Sequence, residues 1–234
     1  INEDVVIPLD RLADYNEGIE RINIEQSTRN KLKMIDAVMV YLNQDWEELR
    51  RQPDYESSDE NDAILEDKKN AARDYLEQVR RRWNQLMDLR DEPAEAHLGL
   101  LDDKAHAAMQ RGDTLMQLML RRDLRISYRT EVERPLKDIF TGHDLEIIRR
   151  HFDKIHEKTL SGRLFVATHM HAGDGNVHTN IPVNSHDYEM MREADRIVDQ
   201  VMELAKDLGG VISGEHGIGL TKIQYLDPEN IEAF

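Results

Sequence analysis

From about Asp45 to Asp123 the sequence is dominated by Glu, Asp, Arg, Lys, Gln, Leu and Met. That composition suits helices and disfavours strands, so it restricts a third of the chain to one class of structure. Ile64, Tyr75, Val79, Trp83, Leu86 and Leu89 recur at helical spacing and predict one long amphipathic helix. Asp54 to Asp62 is polar and acidic and reads as a loop before it. Pro93 stands where another helix can begin. Leu98, Leu101, Ala105, Ala108, Met109, Leu115, Met119 and Leu120 suit a second long helix. Two or three such helices would form a hairpin or a small bundle.

The flanks are built of other material. Glu3-Asp4-Val5-Val6-Ile7-Pro8 reads as a strand stopped by proline. A helix is expected from about Leu9 to Leu42, with a break near Gly18. Ile126 to Val132 is expected as a strand ended by Pro135, and His143 to Lys158 as an amphipathic helix. At Gly162 the composition changes again. Leu164 to Thr168 and Val177 to Val183 read as strands around a glycine-bearing turn, with Pro182 placing the second at a sheet edge. Tyr188 to Leu208 is a helix that Gly209 and Gly210 terminate. Val211 to Ser213 is a short extended segment. The expected fold class is α+β: a small antiparallel sheet with packed helices, plus a large helical insertion.

Charge and composition exclude several roles. The formal net charge of −16 over 234 residues argues against nucleic acid, whose phosphates are bound by Lys and Arg. It also argues against docking on an anionic membrane surface. No apolar run approaches the roughly 18–20 residues of a membrane span; Ile35 to Leu42 is interrupted by Asp36. Without cysteine there are no disulfides, thiolate zinc sites or cysteine-held clusters. This is compatible with a cytoplasmic protein, membrane-associated only through partners. The chain opens without Met, directly in strand-like sequence, which raises the expectation of a further part upstream.

Histidine carries the chemistry. His97, His106, His143, His151 and His156 lie on or beside expected helices and read as exposed or half-buried surface. His171-Ala172-Gly173-Asp174-Gly175-Asn176-Val177-His178 is different. Gly173 and Gly175 permit positive φ, and Asp174 and Asn176 can hydrogen-bond the local backbone. A strand–turn–strand hairpin would return His178 towards His171, and two imidazoles must converge to share a divalent ion at about 2.0–2.1 Å. Ser213-Gly214-Glu215-His216-Gly217-Ile218-Gly219 offers a third ligand, a carboxylate in a glycine-flanked loop poor for packing. Two His and one Glu leave an open coordination position, as catalytic sites require. Alternation puts His169 on the face of His171 and Met170 on the other. A satisfied structural histidine is the simpler reading of His169, which is left unassigned. The blander alternative for the whole set is a hairpin with solvent-facing histidines and a loop with a surface charge.

His171 to His178, followed by Gly209-Gly210-Val211-Ile212-Ser213-Gly214-Glu215-His216-Gly217-Ile218-Gly219 and then Lys222, resembles the C-terminal domain of the FAD-linked oxidases. That family includes D-lactate and D-2-hydroxyglutarate dehydrogenases and the flavin subunit of glycolate oxidase. Glu3 to Pro8, continued by Leu9 to Leu12, resembles the strand that enters this domain. The resemblance covers the first thirty or so residues and everything from about 162 onward. It implies a ferredoxin-like substrate- and metal-binding cap domain from 1–35 and 151–234, interrupted by the helical insertion at 36–150, with the flavin-binding domain absent. It implies His171, His178 and Glu215 as ligands of a divalent metal, Zn or Mn, with His216 as catalytic base and Asn180 as a substrate contact. FAD would be bound mainly by the missing domain, and no residue here is assigned to it. The substrate would be a small 2-hydroxy acid such as lactate or glycolate, and the fragment would be inactive alone.

Two other readings compete. The helical insertion could be a non-catalytic interaction module, docking a partner or a second copy, beside a structural metal site that His169 would complete. A metallohydrolase is disfavoured because no helical His-Glu-x-x-His pattern is present.

Overall fold

The computed structural model describes residues 1–171, 173–213 and 225. The chain opens with strand β1 (Asn2–Val6), followed by a 3-10 turn at Leu9–Arg11 and the 31-residue helix α1 (Leu12–Leu42). Then come α2 (Glu47–Arg50), the 30-residue α3 (Asp59–Asp88), a 3-10 stretch at Ala94–Leu100, α4 (Asp103–Ala108) and α5 (Leu115–Leu120). A π-helical turn at Arg129–Glu133 runs into α6 (Arg134–Ile139), and α7 (Glu146–Ser161) follows. Strands β2 (Ala167–His171) and β3 (Asn176–Asn180) and helix α8 (Tyr188–Asp207) complete the described elements. The α+β reading holds.

The chain divides into two compact units. One comprises Ile1–Ser27 with the described residues from Leu164 on; the other is Thr28–Arg163, so α1 contributes to both. The breaks fall inside α1 and just after α7.

The first unit is a three-stranded antiparallel sheet in the order β1-β3-β2. Its core face carries Val5, Val177 and Thr179, all at most 1% exposed. Against them pack Tyr15 and Ile19 of α1 and the stripe Met190, Ala194, Ile197 and Val201 of α8. The burial of such apolar stripes supplies most of a small domain's cohesion, at about 25 cal/mol per Å². Two polar clamps fix the register. The Asn23 side chain donates to the Val166 carbonyl at 3.0 Å and accepts from its N–H at 2.8 Å. Val6 and Val211 exchange both backbone hydrogen bonds, at 2.9 and 2.8 Å.

The second unit is built of helices joined by loops, with an isolated antiparallel bridge between Pro93 and Thr114. Ser58 caps α3, accepting from the Asn61 N–H at 3.2 Å. Leu76, Trp83 and Leu86 of α3 are fully buried. Tyr41, Trp46, Phe140 and Phe152 form an aromatic cluster whose ring centres lie 5.1–5.8 Å apart.

Several sequence expectations are corrected. The second long helix is instead the 3-10 stretch, α4 and α5. Asp102 starts α4 by accepting from the Ala105 N–H at 2.8 Å, Gly112 adopts φ +84°, and Thr114 with Gln117 forms a capping box that starts α5 afresh. Asp102 and Thr114 are helix-start signals and Gly112 turns the chain between α4 and α5, and together they outweigh the Leu and Met spacing. Ile126 to Val132 is not a strand; its second half is the π turn, and Pro135 is the second residue of α6, directly after that turn. Helix α1 passes Gly18 unbroken, because the glycine leaves room for Leu204, whose Cδ2 lies 2.5 Å from where a Cβ would stand. Finally, β3 is the central strand and ends at Asn180, so Pro182 lies beyond the ladder rather than on an edge.

Candidate functional site

The site stands on the sheet face opposite the one that packs against α1 and α8. Since Val5, Met170, Val177 and Thr179 face the core, alternation puts Asn2, Asp4, Val6, Ala167, His169, His171, Asn176, His178 and Asn180 on the other face. The register pairs His169 and Asp4 with His178, His171 and Val6 with Asn176, and Ala167 and Asn2 with Asn180.

The hairpin that builds this face is locally determined. Gly175 adopts φ +74°, and its carbonyl accepts from the Ile7 N–H at 2.9 Å. A Cβ there would meet the Ile7 carbonyl oxygen at 2.1 Å, so only glycine fits. Asp174 turns its Oδ1 to the Asn176 N–H at 3.3 Å, and the Asp174 N–H donates to the His171 carbonyl at 3.2 Å. These are the local bonds expected of an Asp at a turn.

The geometry brings His171 and His178 together. Their ring centres are 5.7 Å apart with the planes at 80°, an edge-to-face arrangement. His171 is exposed, His178 half-buried and Asn180 exposed. His169 is exposed rather than satisfied in a core, with its ring centre 5.8 Å from that of His171. Glu215 and His216 lie outside the described residues, as does Lys222. Among the described residues no three His, Asp or Glu side chains gather closely enough to hold a metal ion.

Two groups on this face were missed in reading the sequence. Asp4 is completely buried directly across from His178. Asn176 is 5% exposed, and its Oδ1 has no hydrogen-bond partner among the described residues. Asp4 falls in an opening strand legible only as strand, and Asn176 reads from the sequence as part of the turn. Strand register, which the sequence does not print, is what aligns both with the histidines. The five helical histidines are exposed or half-buried, as expected.

Residues 142–233 match the family described as FAD linked oxidases, C-terminal domain. The match starts at 142 rather than about 162, and leaves out the first thirty residues. The chain is 44% identical over 64 residues to a mitochondrial D-lactate dehydrogenase [cytochrome] from Arabidopsis thaliana, covering 27% of this chain and 11% of that protein. It is 37% identical over 62 residues to glycolate oxidase subunit GlcD of Bacillus subtilis, covering 26% of this chain and 13% of that subunit. To a D-lactate dehydrogenase of Archaeoglobus fulgidus it is 46% identical over 68 residues, covering 28% of this chain and 15% of that protein. The chain thus matches a small part of the length of these relatives. No solved structure matches the chain significantly. The resemblance read from the sequence is borne out over the matched part.

Proposed function

We propose that the chain is the substrate- and metal-binding part of an FAD-dependent oxidoreductase that oxidises a small 2-hydroxy acid of the lactate or glycolate kind. The observation that carries this is the convergence of His171 and His178 across the hairpin, within the segment that matches the FAD-linked oxidases. The relatives named for D-lactate and glycolate support the substrate class.

The histidine pair fits a divalent ion. Two imidazoles sharing one ion at about 2.0–2.1 Å hold their ring centres roughly 5 Å apart, and those of His171 and His178 are 5.7 Å apart. Glu215 is proposed as the third ligand, which leaves coordination room for substrate. When bound, the metal supplies Lewis acidity towards the substrate oxygens and FAD supplies the two-electron acceptor. His216 is proposed to take the hydroxyl proton, for which an imidazole's ordinary pKa near 6.5 is suited at neutrality. Asn180, on the same face two residues past His178, offers amide donors and an acceptor to the substrate.

Metal content of the purified chain tests this directly. One equivalent of Zn or Mn in the wild type, lost in both His171→Ala and Glu215→Ala with the fold retained, is the expected result. A wild type that binds neither metal overturns the metal-dependent mechanism. A second reading draws on the closeness of His169 to His171: a closed structural site with His169 as fourth ligand. It predicts that His169→Ala loses metal too, and that metal loss unfolds the first unit.

A further inference from the structure

Asn176 holds a buried acceptor that no donor among the described residues satisfies. The residue is 5% exposed, and its Oδ1 is without a partner there. A buried acceptor without a donor costs about 1–3 kcal/mol, and such atoms are rare enough in folded proteins to call for a reason. The turn does not provide one. Asp174 already engages the backbone N–H of Asn176, so the side chain is not needed to close the hairpin.

The register supplies a candidate donor. His171 stands directly opposite Asn176 in the β2–β3 ladder, and the two side chains share the sheet face. Side chains so paired have Cβ atoms about 4.5–5.5 Å apart, within reach of a carboxamide and an imidazole. A neutral imidazole has one N–H and one lone pair. An oxygen acceptor at one ring nitrogen therefore fixes the tautomer and turns the other lone pair outward. Metal-bound histidines nearly always hold their second nitrogen against such an oxygen.

We propose that Asn176 is a positioning residue for His171, its buried carboxamide oxygen accepting the ring N–H of His171 when the other ring nitrogen binds a divalent metal. The proposal rests on the metal site assigned above. It differs from that assignment in naming what orients one ligand. The unpartnered oxygen is thereby an acceptor held ready for a ring that rotates into place on metal binding.

Zinc affinity of the full chain, measured by competition with a chromophoric chelator, tests the proposal in wild type, Asn176→Ala, Asn176→Asp and His171→Ala. Asn176→Ala should weaken zinc by about 10–100-fold. Asn176→Asp, which retains an acceptor, should recover most of the affinity, and a merely structural asparagine would give no such recovery. The second readout needs no variant. In zinc-loaded wild type, long-range ¹H–¹⁵N NMR should show a His171 ring N–H protected from exchange with water. Loss of zinc in His171→Ala together with unchanged affinity in Asn176→Ala, or a freely exchanging His171 N–H, overturns the role of Asn176 and leaves the metal site standing. No zinc bound by the wild type, or zinc binding unaffected by His171→Ala, removes the site and this role with it.

Discussion

At Gly175, φ is +74° and the position of a Cβ lies 2.1 Å from the Ile7 carbonyl oxygen. The obstacle is backbone, which cannot swing aside as a side-chain tip can. Gly175→Ala should therefore cost about 3 kcal/mol or more, the sum of left-handed strain and a forced shift of the segment after β1. Urea unfolding of the two proteins checks this. A change under 1 kcal/mol would mean that the hairpin is not seated on Ile7 as described. A second residue reports through pH. The His151 ring stacks on Tyr41 at 3.8 Å with the planes 2° apart. Its pKa is lowered from 6.5 by burial first and Lys154 second, with Glu48 opposing. The unfolded chain then binds the proton more readily than the folded one, so folding carries no penalty from His151 above pH about 6.5 and an increasing one below it. His151→Gln should reduce the loss of urea midpoint between pH 7.5 and 5. An undiminished loss would assign the acid sensitivity to other groups.

Element boundaries show what patterning can and cannot convey. Helices α3, α7 and α8 and the hairpin were legible because each repeats one period over many residues. The region from Leu98 to Leu120 has helical spacing too, yet is broken by single residues: Asp102 and Thr114 start helices afresh and Gly112 turns the chain between them, whatever apolar residues lie around. The stretch from Ile126 to Val132 misleads for the opposite reason. Its β-favouring residues are overridden by a carboxylate. Glu131 accepts from Arg82, from the Trp83 indole N–H at 3.1 Å and from the Ser127 N–H at 2.7 Å, while its carbonyl accepts from the Tyr75 hydroxyl at 2.8 Å. Those bonds tie the π turn to α3 and hold it out of any sheet. Glu131→Ala should leave three donors unmet and destabilise the helical unit by about 2–4 kcal/mol. Near-ultraviolet circular dichroism should lose part of its Trp83 signal at a lower denaturant midpoint. An unchanged midpoint would show that water replaces the carboxylate freely. In the candidate site, the histidine motif was visible in the sequence, whereas Asp4 and Asn176 were not, since neither belongs to a motif and both gain meaning only from the register.

The whole chain carries a net charge of −16, and a 2-hydroxy acid is itself an anion at neutral pH. The strand positions on the histidine face, from Asn2 to Asn180, include no Lys or Arg, and one of them is Asp4. A substrate carboxylate approaching this face meets imidazoles and amides, with no Lys or Arg on the strands to hold it. The proposed metal would supply the missing positive charge, and this links the metal reading to the substrate reading at the level of the molecule. Metal should therefore be required for substrate binding as well as for turnover. The chain alone, which matches only 11–15% of the length of its relatives, should oxidise neither lactate nor glycolate. Combined with a flavin domain of this family and supplied with zinc or manganese, it should reduce a dye acceptor. His171→Ala should then raise KM steeply along with loss of rate, because the anion loses its anchor. His216→Ala should lower kcat with metal retained, because only the proton acceptor is gone. Equal substrate affinity with and without metal would break the link between charge and site, and oxidation by the chain without any flavin would refute the proposed function.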